Sequence, residues 1–172
     1  MSEQPTPVPR EEFRPAPTDI APKLADLQVG RTVVTASIPL SRADLVRYAG
    51  ASGDYNHIHW NERFAREVGL ENVIAHGMLT MGTAINGLVE AIGDPAAVRE
   101  YAVRFTSPVE VPATGSVTLQ VTAVVGAIDE EHGTARIDLT AQVDETKVLG
   151  RARATIALPA STGTATPAGG VA

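Results

Sequence analysis

Met78-Leu-Thr-Met-Gly-Thr-Ala-Ile-Asn-Gly-Leu-Val-Glu-Ala-Ile92 says most about how this chain folds. It is apolar or small almost throughout, contains no proline, and has one charge, Glu90. A helix that is apolar on nearly every side is enclosed by protein rather than lying on its surface. Gly93, Asp94 and Pro95 end it, since glycine accepts the left-handed turn at a helix end and proline cannot continue the ladder. Gly82, Ala84 and Gly87 leave little bulk on this rod, so a sheet is expected to wrap it closely.

Downstream, Val98 to Phe105, Ser116 to Ala127, Thr134 to Val143 and Lys147 to Leu158 read as strands. Val117, Leu119, Val121 and Ala123 alternate with polar neighbours, the period of a half-buried strand. Turns at Glu131–Gly133 and Asp144–Thr146 join the last three as antiparallel hairpins. Upstream, Arg31 to Leu40 is rich in β-branched residues and reads as a further strand. Ser41, with Asp44 three residues on, starts a helix whose apolar face is Leu45, Val46, Tyr48 and Ala49. Gly50 to His59 reads as a loop, Asn61 caps a short helix through Val68 that Gly69 stops, and Val73 to Gly77 is a connection. The order predicts an α+β layer, an antiparallel sheet wrapped around one long central helix.

The 172 residues suit one domain with a proper core. Residues 1–26 carry six of the twelve prolines among polar residues and are expected to be a disordered arm. Residues 160–172 are small and low in complexity and are expected to be a flexible tail, leaving residues 27–159 as the folded domain. A net charge of -6 disfavours nucleic acid and anionic membranes as partners. No cysteine is present, which removes disulfides, thiolate nucleophiles and thiolate metal ligands. With no secretory-type leader and no apolar run near the roughly 20 residues a bilayer requires, a soluble cytoplasmic protein is expected.

The densest polar cluster is Ser52-Gly-Asp-Tyr-Asn-His-Ile-His59. A carboxylate and an imidazole held in a loop between two helices can share one water or one substrate proton, and histidine titrates near neutrality. The alternative is a solvated loop in which Asp54 and Asn56 satisfy local backbone N–H groups. A second feature, Ile74-Ala-His-Gly-Met-Leu79, places Gly77 just ahead of the buried helix. Free N–H groups at a helix start can receive a carbonyl oxygen that gains negative charge, and glycine allows close approach. The alternative is a tight turn in which His76 packs or caps. His57, His59, His76 and Asp54 offer metal-ligand chemistry, but no further cluster completes a ligand set, so no metal is expected.

Together, Tyr48 to His59, Ala65, and Ile74 to Leu79 resemble the MaoC-like (R)-specific hydratase/dehydratase family, and most of all the catalytic subunits of actinobacterial type II fatty-acid synthase dehydratases. The stretch Val98-Arg-Glu-Tyr-Ala-Val-Arg-Phe-Thr-Ser-Pro-Val109 resembles that group as well. The resemblance covers about residues 27–158 and implies the hot-dog fold. It implies Asp54 and His59 as the catalytic pair, with Gly77, Asn56 and His76 on the oxyanion and substrate side and no cofactor. It also implies an acyl thioester substrate on acyl carrier protein or coenzyme A, and paired protomers, either identical or with a non-catalytic hot-dog relative. The activity implied is water addition or removal across the 2,3-bond. A hot-dog thioesterase and a non-catalytic acyl-binding subunit are the alternatives.

Two positions depart from that pattern. His57 stands where the family usually has proline, and Ile85 stands nine residues after the second motif's histidine, where short-chain members have serine. His57 is expected to be peripheral, and Ile85 to make room for a longer acyl chain. Arg99, Arg104, Arg151 and Arg153 offer a possible anion patch, or are simply solvated.

Overall fold

A computed structural model describes residues 27–158. The expected arm and tail lie outside the described residues. The chain runs β1 (Thr32–Leu40), α1 (Arg42–Ser52), a 3-10 turn (His57–His59), α2 (Glu62–Glu67), β2 (Val73–Ile74), α3 (Gly77–Ile92), a second 3-10 turn (Pro95–Ala97), β3 (Val98–Phe105), β4 (Glu110–Val111), β5 (Val117–Asp129), β6 (Thr134–Val143) and β7 (Thr146–Ala157). Five strands form one antiparallel sheet in the order β1-β5-β6-β7-β3, and β2 pairs with β4 separately.

Strand alternation places the core. Leu119, Val121, Ala123 and Val125 of β5, Ala135, Ile137, Leu139 and Ala141 of β6, and Ala152, Ala154 and Ile156 of β7 are buried on one face. Thr80, Ala84 and Leu88 of α3 are the buried residues of the helix, which joins the same core. The expected architecture is therefore the observed one.

The glycines of α3 divide differently from expectation. A Cβ at Gly87 would sit 3.0 Å from Val34 Cγ1, tight enough that the valine would have to give way, whereas Gly82 faces open space. Gly82→Ala is thus expected to raise stability by ~0.5–1 kcal/mol through helix propensity. Gly87→Leu, which overpacks the core, is expected to lower it by ~1–3 kcal/mol. Urea midpoints of the two variants should move in opposite directions.

Two local differences matter for the site. Val73 to Gly77 is not a plain connection, because Val73 and Ile74 form β2 and pair with Val111 and Glu110. The loop before α2 is partly regular, since His57–His59 make a 3-10 turn. The helices on either side of that loop are tied down. Asp44 closes the start of α1 by accepting from Ser41 N at 2.9 Å. Arg42 bridges to Glu62 of α2 at 2.7 Å and donates to the Val111 carbonyl at 3.2 Å.

Candidate active site

The loop that carries Asp54 is shaped by its own sequence. Gly53 takes a left-handed φ of 77° and ends α1, donating to the Ala49 carbonyl at 2.9 Å. Asp54 Oδ1 then accepts from Asn56 N at 3.1 Å, and Asn56 Oδ1 accepts from Ile58 N at 3.2 Å. These successive side-chain caps turn the chain into the 3-10 turn that presents His59. Trp60 Nε1 donates to the Tyr55 carbonyl at 3.0 Å and closes the loop on itself. Asn56 therefore shapes the loop, and its Oδ1 is occupied in doing so.

His59 is 7% exposed, with Nδ1 2.7 Å from the Ile74 carbonyl. A carbonyl only accepts, so Nδ1 carries the hydrogen and the neutral ring offers a bare Nε2. That Nε2 lies 3.8 Å from Asp54 Oδ2, whose side chain is 52% exposed. The separation is too long for a direct hydrogen bond and leaves both groups able to touch one bound water or hydroxyl.

Gly77 is the first residue of α3, with His76 as the N-cap. The first N–H of a helix has no partner within it and lies at the positive end of the helix dipole. Gly77 and His59 line one cavity of about 310 Å³ with Ile74, Ala75, Thr80, Phe105 and the segment Thr106–Val109. That segment is held by Thr106 Oγ1 donating to the Lys147 carbonyl at 2.8 Å. The wall formed by Phe105 to Val109 was marked in the sequence only through the resemblance of Val98 to Val109, with no site role attached to it.

His76 lies beneath the site and does not line the cavity. It is 1% exposed, its Nε2 is 3.0 Å from the Asp54 carbonyl, and its ring stacks on His59 with centroids 3.8 Å apart and planes 25° apart. Burial pushes its pKa below the ordinary histidine range, and the neighbouring His59 acts in the same direction. A group whose proton is harder to hold when folded favours unfolding as it titrates. Its stability contribution is therefore whole above the ordinary value near 6.5 and is lost as pH falls through the lower folded value. The melting temperature of the wild type is expected to fall more steeply below about pH 6.5 than that of His76→Gln. Parallel Tm–pH curves would contradict this.

Ligand atoms of Asp54, His59 and His76 all lie within 4.8 Å of one another, as a metal site would require. The geometry does not suit one. The nitrogen lone pairs of stacked rings run in nearly parallel planes and cannot converge on one ion. His59 Nδ1 and His76 Nε2 are also committed to backbone carbonyls.

The remaining candidates lie apart. His57 is exposed and packs edge-on against Trp60 and Phe64, with centroids 4.8 and 5.3 Å away. Ile85 is half-buried against the core. Arg153 pairs with Asp138 at 3.4 Å, while Arg99, Arg104 and Arg151 are exposed.

An antiparallel sheet packed on one long helix, with a carboxylate and an imidazole 3.8 Å apart near the start of that helix, defines a hot-dog protein. The chain belongs to the MaoC-like family, whose domain model matches residues 25–143. It is 42% identical over 79 residues to 3-hydroxyacyl-thioester dehydratase X of Mycobacterium tuberculosis, covering 46% of this chain and 27% of that protein. It is 31% identical over 125 residues to the 3-hydroxybutyryl-CoA dehydratase of Methylorubrum extorquens, covering 72% of this chain and 76% of that one. A solved MaoC-like dehydratase superimposes with a TM-score of 0.77 at 34% identity, covering 92% of this chain and 51% of the other. The chain thus spans about a quarter of the M. tuberculosis protein and about half of the solved one.

Proposed function

We propose that the protein is a (3R)-hydroxyacyl-thioester dehydratase, running in reverse as an (R)-specific enoyl-thioester hydratase. The observation that carries this reading is that His59 and Gly77 line one cavity, while Asp54, outside its lining, brings Oδ2 to 3.8 Å from His59 Nε2. A thioester carbonyl hydrogen-bonded to the Gly77 N–H gains enolate character, which acidifies C2. In dehydration the Asp54–His59 pair accepts the C2 proton. The C3–O bond then breaks, the 2,3-double bond forms, and the pair returns a proton to the departing hydroxide, releasing water. In hydration the same steps run backwards.

Resemblance to synthase subunits favours dehydration on an acyl carrier protein in the cytoplasm. Among the described residues no helix is long and apolar enough to cross a membrane. Pairing with a second hot-dog subunit is part of the proposal. The outer edge of β3 is unpaired in the sheet order, and antiparallel pairing of two β3 strands about Ala102 sets Glu100 opposite Arg104 in both directions. Opposite charges directly across a ladder favour that register, with a second copy as the partner. Sedimentation should give a dimer that Glu100→Arg weakens.

The test of activity is a panel of 3-hydroxyacyl and 2-enoyl thioesters on coenzyme A and on acyl carrier protein. The expected result is gain or loss of enoyl absorbance without release of free thiol. Thiol release would favour a thioesterase, for which the acid on α3 is poorly placed: Glu90 is exposed and accepts from Asn86 at the far end of the helix. Binding without turnover would favour an acyl-binding subunit.

A further inference from the structure

One short segment, Ile74 to Gly77, contacts every group the proposed reaction uses. The Ile74 carbonyl holds the His59 ring, Gly77 supplies the helix-end amide, and His76 reaches back across the chain to the Asp54 carbonyl. His76 is the member whose purpose is not explained by contact with substrate, since it is buried and off the cavity wall.

We infer that His76 is a positioning residue: its neutral ring, donating from Nε2 to the Asp54 carbonyl and stacked against His59, holds the carboxylate and the imidazole in register over the start of α3. The inference rests on the acid–base reading above. Three contacts from three elements fix the ring. The Asp54 carbonyl accepts from Nε2 at 3.0 Å, the His59 ring covers one face, and Tyr48 of α1 approaches with centroids 4.8 Å apart. Its own backbone is pinned as the N-cap, where its carbonyl accepts from Thr80 N at 3.0 Å and Thr80 Oγ1 at 3.2 Å.

The tautomer follows from these partners. Nε2 must carry the hydrogen, because the Asp54 carbonyl cannot donate. Nδ1 then bears a lone pair, and it is buried without a hydrogen-bond partner. Protonating it would bury a second positive ring against His59 and oppose proton uptake there. The titratable groups that face His76 are the Asp54 carboxyl, the His59 ring and the Tyr48 phenol; α3 itself brings only the Thr80 hydroxyl. A neutral His76 therefore anchors the Asp54 loop and leaves His59 free to cycle its proton.

Full-length protein labelled with 15N at its imidazoles tests the inference together with His76→Gln and His76→Phe. Glutamine keeps an uncharged donor at a position like Nε2 and loses the ring, while phenylalanine keeps the ring and loses the donor. The ring of His76 is expected to be neutral at about pH 7.5, with hydrogen on Nε2, and to take up its second proton at a lower pH than an ordinary histidine. His76→Phe should lower kcat by about 10- to 100-fold with KM within about threefold, because a misplacement near 1 Å carries a cost of that order. His76→Gln should recover most of that loss. A ring that titrates in the ordinary histidine range, unchanged kcat in His76→Phe, or raised KM at constant kcat in both variants overturns the inference. A wild type inert on every thioester would sink the reaction proposed above instead. The spectra then decide positioning alone: His76→Phe must shift the His59 ring resonances, and His76→Gln must leave them near their wild-type places.

Discussion

Asp54→Asn and His59→Asn are each expected to lower turnover of acyl thioesters by about 10²- to 10⁴-fold, the range associated with a positioned acid or base. Both replacements conserve local structure. Asparagine at position 54 keeps an oxygen for the Asn56 N–H, which the aspartate now holds at 3.1 Å. Asparagine at position 59 places an amide close to where Nδ1 now donates to the Ile74 carbonyl at 2.7 Å, while removing the Nε2 that faces the carboxylate. The double variant should be only slightly worse than the poorer single one, because groups that act as one unit do not contribute additively. Enoyl absorbance gives the rates, and circular dichroism with thermal melting establishes that the variants are folded. A folded double variant with wild-type turnover would remove the pair from the mechanism.

The fold was legible because two periodicities were clean. The nearly uncharged run to Ile92 was recognisable as the central helix, although the sheet covers one face of it, with Thr80, Ala84 and Leu88 buried and Met78 exposed, and the alternation in Val117 to Ala123 marked a half-buried strand. Residue type marked the cluster of Asp54, Asn56, His57 and His59, the family resemblance picked Asp54 and His59 out of it, and these two lie 3.8 Å apart. Less visible was whatever depends on main-chain atoms or on which face of an element is covered. The Ile74 carbonyl that sets the His59 tautomer is a backbone atom, and no residue type announces it. Val73 and Ile74 are too short a run to show a strand period, so their pairing with β4 needed the tertiary contact. Gly82 and Gly87 look alike in sequence, yet only Gly87 meets the sheet, because a five-residue step along a helix rotates one away from the other. His76 was assigned to the substrate side by its place beside Gly77, whereas its ring turns inward under His59.

The second large effect concerns a single hydrogen. Gly77→Pro deletes the N–H at the start of α3 and is expected to cost about 10²- to 10³-fold in kcat, as removal of an oxyanion donor does. Proline elsewhere in a helix would break it, but the first position tolerates it, since the N–H there has no intrahelical partner and the ring's φ suits the helix. The preceding residue must be extended, and His76 already sits at φ -58° and ψ 135°. Added bulk needs its own control. A Cβ at position 77 would lie 3.2 Å from Phe105 Cε1, a ring that is half exposed and able to yield. Gly77→Ala therefore reports the crowding while keeping the donor, and it should retain turnover within about tenfold of wild type, well above the proline variant. If the two variants fold and turn over equally, the thioester oxygen is not held by this amide, and the enolate must be stabilised elsewhere in the cavity.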